Sequence, residues 1–442
     1  MTHRRTRLNA VQTLTLGFAG LILLGGLLLM LPVSSRDGAS LPFLDALFTA
    51  ASASCVTGLA LYDTGTQFSI FGQAVILLLI QVGGLGFMTV SALVSFLLHR
   101  RIGLHQRAVL MDTVGALQIS GIVRLTRRAL LVTLACEGAG ALLLSFWFCP
   151  RYGLGRGLWM SVFHAVSAFC NAGFDILGTD ASFRSAAGEP FLNLVLMALI
   201  VCGGLGFLVW DDALTHGFHL RRWRLHSQIV LAFTAPLFLG GAAAFYLLEK
   251  DHAFAGASTG QKLLMASFQS VTCRTAGFST VDIGALSESG TLLTMILMFI
   301  GAGSGSTGGG IKVNTAVVLV SSALAQTRRM EDVNLFHRRL DNGNIRRAHA
   351  TASLYTLAGL AGCAILCVQG IPLEDALFEA ISAIGTVGLT RSVTPVLPTA
   401  SRLAVLLLMF SGRVGSMSVA MALTRDRPRS GLRQVPEKIL IG

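Results

Sequence analysis

Long charge-free runs alternate with short polar stretches along the whole chain, and the lengths of the runs identify them. From Leu8 to Ser35 and from Thr64 to Leu98 there is no Asp, Glu, Lys or Arg, whereas the hydrocarbon core of a bilayer needs about 20 apolar residues in a helix. Both runs predict membrane spans. Similar runs at 129–149, 190–210, 227–248, 291–325, 348–369 and 401–423 bring the expected spans to eight, an even number that returns both termini to one side. Within each pair of spans lies a shorter segment of about a dozen residues with helical rather than alternating apolar spacing. At 1.5 Å per residue it reaches only part-way across a bilayer. Such a segment is expected to enter the membrane and turn back.

The short segments are copies of one another. They read ALFTAASASCVTGL (46–59), SVFHAVSAFCNAGF (161–174), MASFQSVTCRTAGF (265–278) and ALFEAISAIGTVGL (376–389), and their glycines Gly58, Gly173, Gly277 and Gly388 recur at a near-constant interval. Phe48, Phe163 and Phe378 precede the glycine by ten residues, but Phe268 does so by nine, so the third copy is slightly irregular. A fourfold repeat makes the repeat the unit of structure. The expected fold is an all-α membrane protein of four tandem helix–pore-loop–helix units, eight transmembrane helices in pseudo-fourfold symmetry around one central pore. The units fall at 1–98, 99–225, 226–330 and 331–424, with a basic tail at 425–442. Inverted repeats, common among secondary transporters built on broken helices, are not what this pattern shows, although such a transporter of another small cation or solute is the alternative reading.

The chemistry follows from where the short helices end. Pro42 and Pro372 suit first-turn positions, and Asp45, Glu374 and Asp375 suit the positive N-terminal ends, so the negative C-terminal ends point inward. A bare loop at membrane depth is tolerated only if buried in protein or lining a water-filled path. Four such loops converging would present rings of backbone carbonyls, a site for a cation that needs no carboxylate. The rim residues are Val56, Thr57 and Gly58; Asn171, Ala172 and Gly173; Thr275, Ala276 and Gly277; and Thr386, Val387 and Gly388. Glycine packing alone would explain any single match; four at equivalent places point to a filter.

Composition and charge narrow the alternatives. The 442 residues are 53% hydrophobic and 13% charged, outside the range of soluble domains. The net charge of +12 raises the question of nucleic acid, but most Lys and Arg fall in the N-terminus (Arg4, Arg5, Arg7), segments 99–128, 211–226 and 326–347, and the tail after Thr424. All five lie on one predicted face, which the positive-inside rule makes cytoplasmic. The opposite connections carry Asp37, Asp63, Asp175, Asp180, Glu189, Asp282 and Glu288. Nucleic-acid binding is therefore not expected, and the basic segments read as topology signals and contacts to anionic membrane lipid. Leu14 to Met30 lacks a small-residue cleavage site and reads as the first helix rather than a signal peptide. Eight cysteines without a CxxC pair indicate neither a disulfide scaffold nor a zinc site. No catalytic constellation is apparent, so the protein is expected not to be an enzyme.

The motifs CNAGF (170–174), RTAGFST (274–280), GTVGLT (385–390), GSTGGGIKV (305–313) and GRVGS (412–416) carry a resemblance to the Trk/Ktr/HKT superfamily of potassium transporters. Eight spans without an additional N-terminal pair look like the shorter, Ktr-type membrane subunit. The resemblance covers nearly the whole chain. It implies potassium as substrate, with sodium a candidate activator and no covalent cofactor. It also implies a pore within each subunit, a homodimer, and a cytoplasmic nucleotide-binding ring (ATP/ADP or NAD-type ligand) as regulatory partner. The potassium-channel signature TVGYG is absent, so weaker discrimination against sodium is expected. Cys55 and Cys273 stand where the family commonly has threonine and proline, without altering backbone ligands.

Each unit's second span carries a further glycine signature: VGGLGF, CGGLGF, IGAGSGS and SGRVGS. In the third unit it widens into a break, residues 301–310, read as a gate made of Gly301, Gly303, Ser304, Gly305, Ser306, Thr307, Gly308, Gly309 and Gly310. A phosphate-cradling loop is the competing idea, but Ile311 precedes Lys312, so no GK[ST] is formed. Lys312 reads either as a residue that snorkels or binds a nearby carbonyl, or as an anchor of the gate. Arg413 occupies the place of Gly84, Gly204 and Ala302 in the other units, and a charge at mid-span usually faces a cavity. It looks like the arginine that the family places below the filter, to repel a second cation or to tie down the gate. Glu137 reads as a packing or snorkelling residue and His164 as a pore-helix residue without partner ligands.

Overall fold

A computed structural model describes residues 10–86, 121–178, 182–217 and 219–423. The arginines of the N-terminus, most of segment 99–128, Asp180 and the basic tail lie outside the described residues.

Each unit opens with a long helix: α1 (Ala10–Leu29), α5 (Ile122–Tyr152), α9 (Leu225–Glu249) and α13 (Asn342–Val368). These four are long and apolar enough to cross a membrane. Their outward faces leave Leu24, Leu134, Leu239 and Leu357 exposed, an arrangement suited to lipid, which is as apolar as leucine. Short helices follow: α2 (Phe43–Ser54), α6 (Leu154–Phe169), α10 (Thr259–Thr272) and α14 (Leu373–Gly385). Their starts are set locally. Pro42 and Pro372 occupy the cap positions of α2 and α14, one step before the expected first turn, and Ser258 with Gln261 forms a capping box on α10.

The second helices are α4 (Ile70–Leu85), α7 (Pro190–Leu205), α11 (Glu288–Phe299) and α15 (Thr399–Val414). A four-residue helix, α3 (Thr64–Gln67), precedes α4. None of the expected second spans is one straight helix. The chain turns at Gly206 into α8 (Phe207–His216), bent by 91°, and at Gly415 it restarts as α16 (Ser416–Leu423). In the third unit the irregular stretch after Phe299 leads to α12 (Val313–Thr327). Gly86, Gly206 and Gly415 have φ of +83°, +100° and +94°, a region open to glycine and strained for other residues. The break expected only in the third unit thus has counterparts at Gly206 in the second and Gly415 in the fourth, and in the first the described helix ends at Gly86.

Packing between units is cyclic. The second helix of each unit lies against the short helix of the next: α4 on α6, α7 on α10, α11 on α14, and α15 back on α2. Ion pairs tie the seams. Arg402 on α15 donates to Asp45 on α2 at 2.6 Å, and Tyr62 donates to the same carboxylate at 2.6 Å. Within the second unit, Asp211 accepts from Arg128 at 2.6 Å and Arg224 at 2.8 Å, while Asp212 accepts from Ser227 of the third unit at 2.6 Å. Burial pushes Asp211 up, but the two guanidiniums outweigh it and hold the carboxyl below its ordinary range. A two-stranded hairpin, β1 (Asn334–Leu335) with β2 (Arg338–Arg339), links the third and fourth units.

Candidate cation site

The four short helices end in loops of one conformation. Val56, Asn171, Thr275 and Thr386 have φ of +56°, +57°, +70° and +48°, and Gly58, Gly173, Gly277 and Gly388 have φ of +90°, +71°, +81° and +92°. The residue between them is not in the positive region. Alternating handedness turns successive peptide planes over, so carbonyls that would point to opposite sides of a strand turn toward the same side. Hydrogen bonds back to the helix hold three loops alike: the amides of Thr57, Ala172 and Val387 donate to Ser52, Ser167 and Ser382 carbonyls, each at 2.8 Å. In the third loop Ala276 reaches only four residues back, to Thr272 at 3.0 Å, matching the missing residue after Phe268.

The loops meet in a ring. A Cβ added to Gly58 would lie 2.6 Å from the Ala172 carbonyl oxygen, one on Gly173 2.8 Å from that of Ala276, and one on Gly277 2.7 Å from that of Val387. One on Gly388 would collide with the Thr57 carbonyl oxygen. Each glycine is therefore required by the carbonyl of the next loop, and the order closes from the fourth unit to the first. The twelve expected rim residues come together, and none is titratable. Four helix C-termini, each carrying roughly half a negative charge, face the ring.

Two different environments flank it. A cavity of about 520 Å³ touches all four glycines and is bordered by Asp63, Asp175 and Arg184; Arg184 pairs with Asp282 at 3.1 Å. At the other end of the tripeptides lies segment 301–310. Gly308 sits against the Thr275 hydroxyl and the Asn171 side chain, and Gly309 against the Thr386 hydroxyl, too closely for any Cβ.

That segment is held at its apex and at its base. The Thr307 hydroxyl donates to the Phe169 carbonyl at 3.0 Å, and its amide to Gly203 at 3.3 Å. Gly303 donates to the Gly204 carbonyl at 2.9 Å, and Phe207 to that of Gly305 at 2.8 Å. Arg413 donates to the carbonyls of Thr307, Gly83 and Gly84, the last at 2.9 Å. Lys312 donates to the carbonyls of Gly308 and Gly309, the latter at 3.2 Å. The carbonyl-binding alternative for Lys312 and the tying-down alternative for Arg413 thus both have the matching contacts.

Other singled-out residues are structural. His164 is fully buried, stacked on Phe148 with ring centroids 5.0 Å apart; its Nδ1 faces the Met160 carbonyl at 2.7 Å and its Nε2 accepts from the Ile176 amide at 3.3 Å. These partners assign the neutral tautomer with the proton on Nδ1. Glu137 is buried behind the second loop, accepting from Gln81 at 3.1 Å with the Cys170 thiol 3.7 Å away. It does not snorkel. Arg274, in the RTAGFST motif but given no role from sequence, is 3% exposed and donates to the Gly301 carbonyl at 3.1 Å. A charge directly beside a rim tripeptide, where the other loops have Cys55, Cys170 and Gly385, was the signal available in the sequence.

Fold and site together define a class, the multi-pass helical membrane transport protein. Within it the chain belongs to the TrkH cation transport family, which matches residues 11–430. Over 99% of its length it is 39% identical to the potassium/sodium uptake protein NtpJ of Enterococcus hirae (98% of that protein) and 38% identical to the Ktr system potassium uptake protein B of Bacillus subtilis (97% of that protein). The crystal structure of the potassium transporter TrkH from Vibrio parahaemolyticus superposes with a TM-score of 0.77 at 18% identity, covering 96% of this chain and 87% of that one. The expected resemblance to the Trk and Ktr potassium transporters stands.

Proposed function

We propose that the chain is the pore-forming subunit of a potassium uptake system. Four units in pseudo-fourfold arrangement pass dehydrated ions through the carbonyl ring, and segment 301–310 is the gate. The observation that carries this reading is the cyclic contact of each rim glycine with the next loop's carbonyl. Only a shared axis gives four sequence-distant glycines the same neighbour in rotation. A monovalent ion on that axis exchanges hydration water for peptide oxygens, with four helix ends supplying negative potential. One glycine per loop provides fewer stacked carbonyl layers than a TVGYG filter, so discrimination against sodium is modest.

The basic segments put the gate side in the cytoplasm, together with both termini. Arg224 and Arg128 lie at the end of the molecule that the chain enters after its turn at Gly206, where Phe207 also bonds the gate. The homodimer and the nucleotide-binding regulatory ring are part of this proposal through the resemblance to Ktr-type subunits; the relative's name, Ktr system potassium uptake protein B, marks that protein as one component of a system.

Rubidium uptake in cells lacking their own potassium transport tests the proposal. The parent chain, expressed with its regulatory partner, should restore uptake. Gly388→Ser should lower it at least tenfold and weaken discrimination against sodium, because the new side chain meets the Thr57 carbonyl at a φ of +92°. Uptake by Gly388→Ser indistinguishable from the parent's would remove the filter assignment.

A further inference from the structure

Arg274 is a buried cation in the middle of an apolar molecule. It makes no ion pair among the described residues, and its Nε and Nη1 have no protein hydrogen-bond partner there. Its guanidinium lies 4.7 Å from the centroid of Phe238, and only Nη2 is engaged, on the Gly301 carbonyl. Together with Thr234, whose hydroxyl is likewise unpartnered, it borders a small cavity beside Gly204 and Ala302. Burying a guanidinium without a counter-charge is costly, and one neutral hydrogen bond with a ring face does not offset it. Next to a cation site the charge is doubly unfavourable. A purely packing role would be filled better by an apolar residue.

Comparison of the four units shows what the arginine replaces. In the first, second and fourth, a glycine of the second helix sits directly on the last turn of the short helix: Gly83 on the Ser54 carbonyl, Gly203 on that of Phe169, Gly412 on that of Ile384. The corresponding residue of the third unit is Gly301, the first of the gate, and it has no such neighbour; it packs instead against Gly309 and Gly310. The guanidinium of Arg274 spans the gap. The unit whose second helix is opened into a gate is thus the unit that carries arginine where the others have Cys55, Cys170 and Gly385.

We propose that Arg274 is a positioning residue that couples the third rim loop to the base of the gate. It is the fixed pivot: Thr275 follows it directly, and Gly301, anchored also by its amide on Ile311 at 2.8 Å, hangs from it. Arg413 at the apex is the releasable latch. A shift of the gate's base therefore moves Thr275, and ion occupancy at Thr275 biases the base. The transport arm of the test rests on the filter-and-gate reading; the exchange arm does not.

The test uses the full chain. In hydrogen–deuterium exchange on purified protein in lipid nanodiscs, Arg274→Gln should speed exchange about tenfold in segments 275–280 and 299–303 together, the loss of a charge-assisted bond. Arg274→Lys, whose ammonium retains the charge, should give a smaller change. Arg413→Gln should speed exchange around residue 307 and leave 275–280 as in the parent. In rubidium uptake, Arg274→Gln should raise KM about tenfold with the maximal rate within about twofold, and Arg274→Lys should recover part of the loss. Should Gln not fold, Phe238→Leu, which removes the ring face, should shift the same two segments and KM in the same direction. Unchanged exchange in 275–280 in folded Arg274→Gln or Phe238→Leu protein overturns the coupling, as does a fall in maximal rate with KM constant. Absence of uptake by the parent would refute the transport reading, while the exchange data would still decide the pivot.

Discussion

Val56, Thr275 and Thr386 are β-branched residues held at positive φ, a conformation such side chains avoid at a cost of about 1–3 kcal/mol each. They are fully buried, and the hydrogen bonds and glycine contacts around them leave no other conformation that closes the ring. Positive φ repeated at four equivalent positions, strained at three of them and accommodated by asparagine at Asn171, marks the site more sharply than any one motif does. Arg413 carries the prediction at this scale. Its bonds to Thr307, Gly83 and Gly84 are charge-assisted, worth about 1.5–3 kcal/mol apiece. Arg413→Gln should therefore raise passive rubidium leak from loaded proteoliposomes at least tenfold; a leak equal to the parent's would deny it the latch role. Arg413 was legible in sequence because a lone charge within an apolar run is conspicuous. Arg274 is not conspicuous in RTAGFST, because its meaning lies in the Gly301 carbonyl, in the irregular stretch beyond a different helix.

Helices and loops show how glycine serves two purposes here. Gly83 and Gly203 let a helix approach a carbonyl, whereas Gly206 lets the chain turn. The sequence signatures VGGLGF and CGGLGF contain both kinds without distinguishing them. Gly83→Ala would drive a methyl into the Ser54 carbonyl, its carbonyl carbon only 2.7 Å away, and overpacking of this kind costs about 1–3 kcal/mol. Gly20, in α1, has open space around its would-be Cβ. Gly20→Ala should leave the melting temperature of the purified protein unchanged or slightly higher, and Gly83→Ala should lower it by several degrees. Equal melting temperatures would show that the approach at Gly83 is not tight. The turn at Gly206 is not visible in the sequence because CGGLGF, like VGGLGF, remains apolar on both sides, and hydropathy does not register a bend.

At the scale of the whole molecule, four units are joined through a ring that none of them possesses alone. Ion binding there should stabilise the entire fold. Potassium at about a hundred times its dissociation constant contributes about 2.7 kcal/mol, so the melting temperature in potassium chloride should exceed that in choline chloride at equal ionic strength. Gly277→Ala, which puts a methyl against the Val387 carbonyl, should abolish the difference; a potassium-dependent rise retained in that variant would mean the ion binds elsewhere. The sequence by itself determined the membrane class and the fourfold repeat, and it singled out the twelve loop residues and the segment 301–310 on which the proposed filter and gate rest. Each of these is written in local periodicity or in repetition along the chain. Only the tertiary structure decided the order of contacts around the ring, the turns at Gly206 and Gly415, the partners of Lys312 and Arg413, and the isolation of Arg274. The ring and the bonds of Arg413 depend on which backbone groups meet across a hundred or more residues, the others on backbone angles and carbonyls nearer by, and a backbone carbonyl leaves no mark in the sequence of side chains.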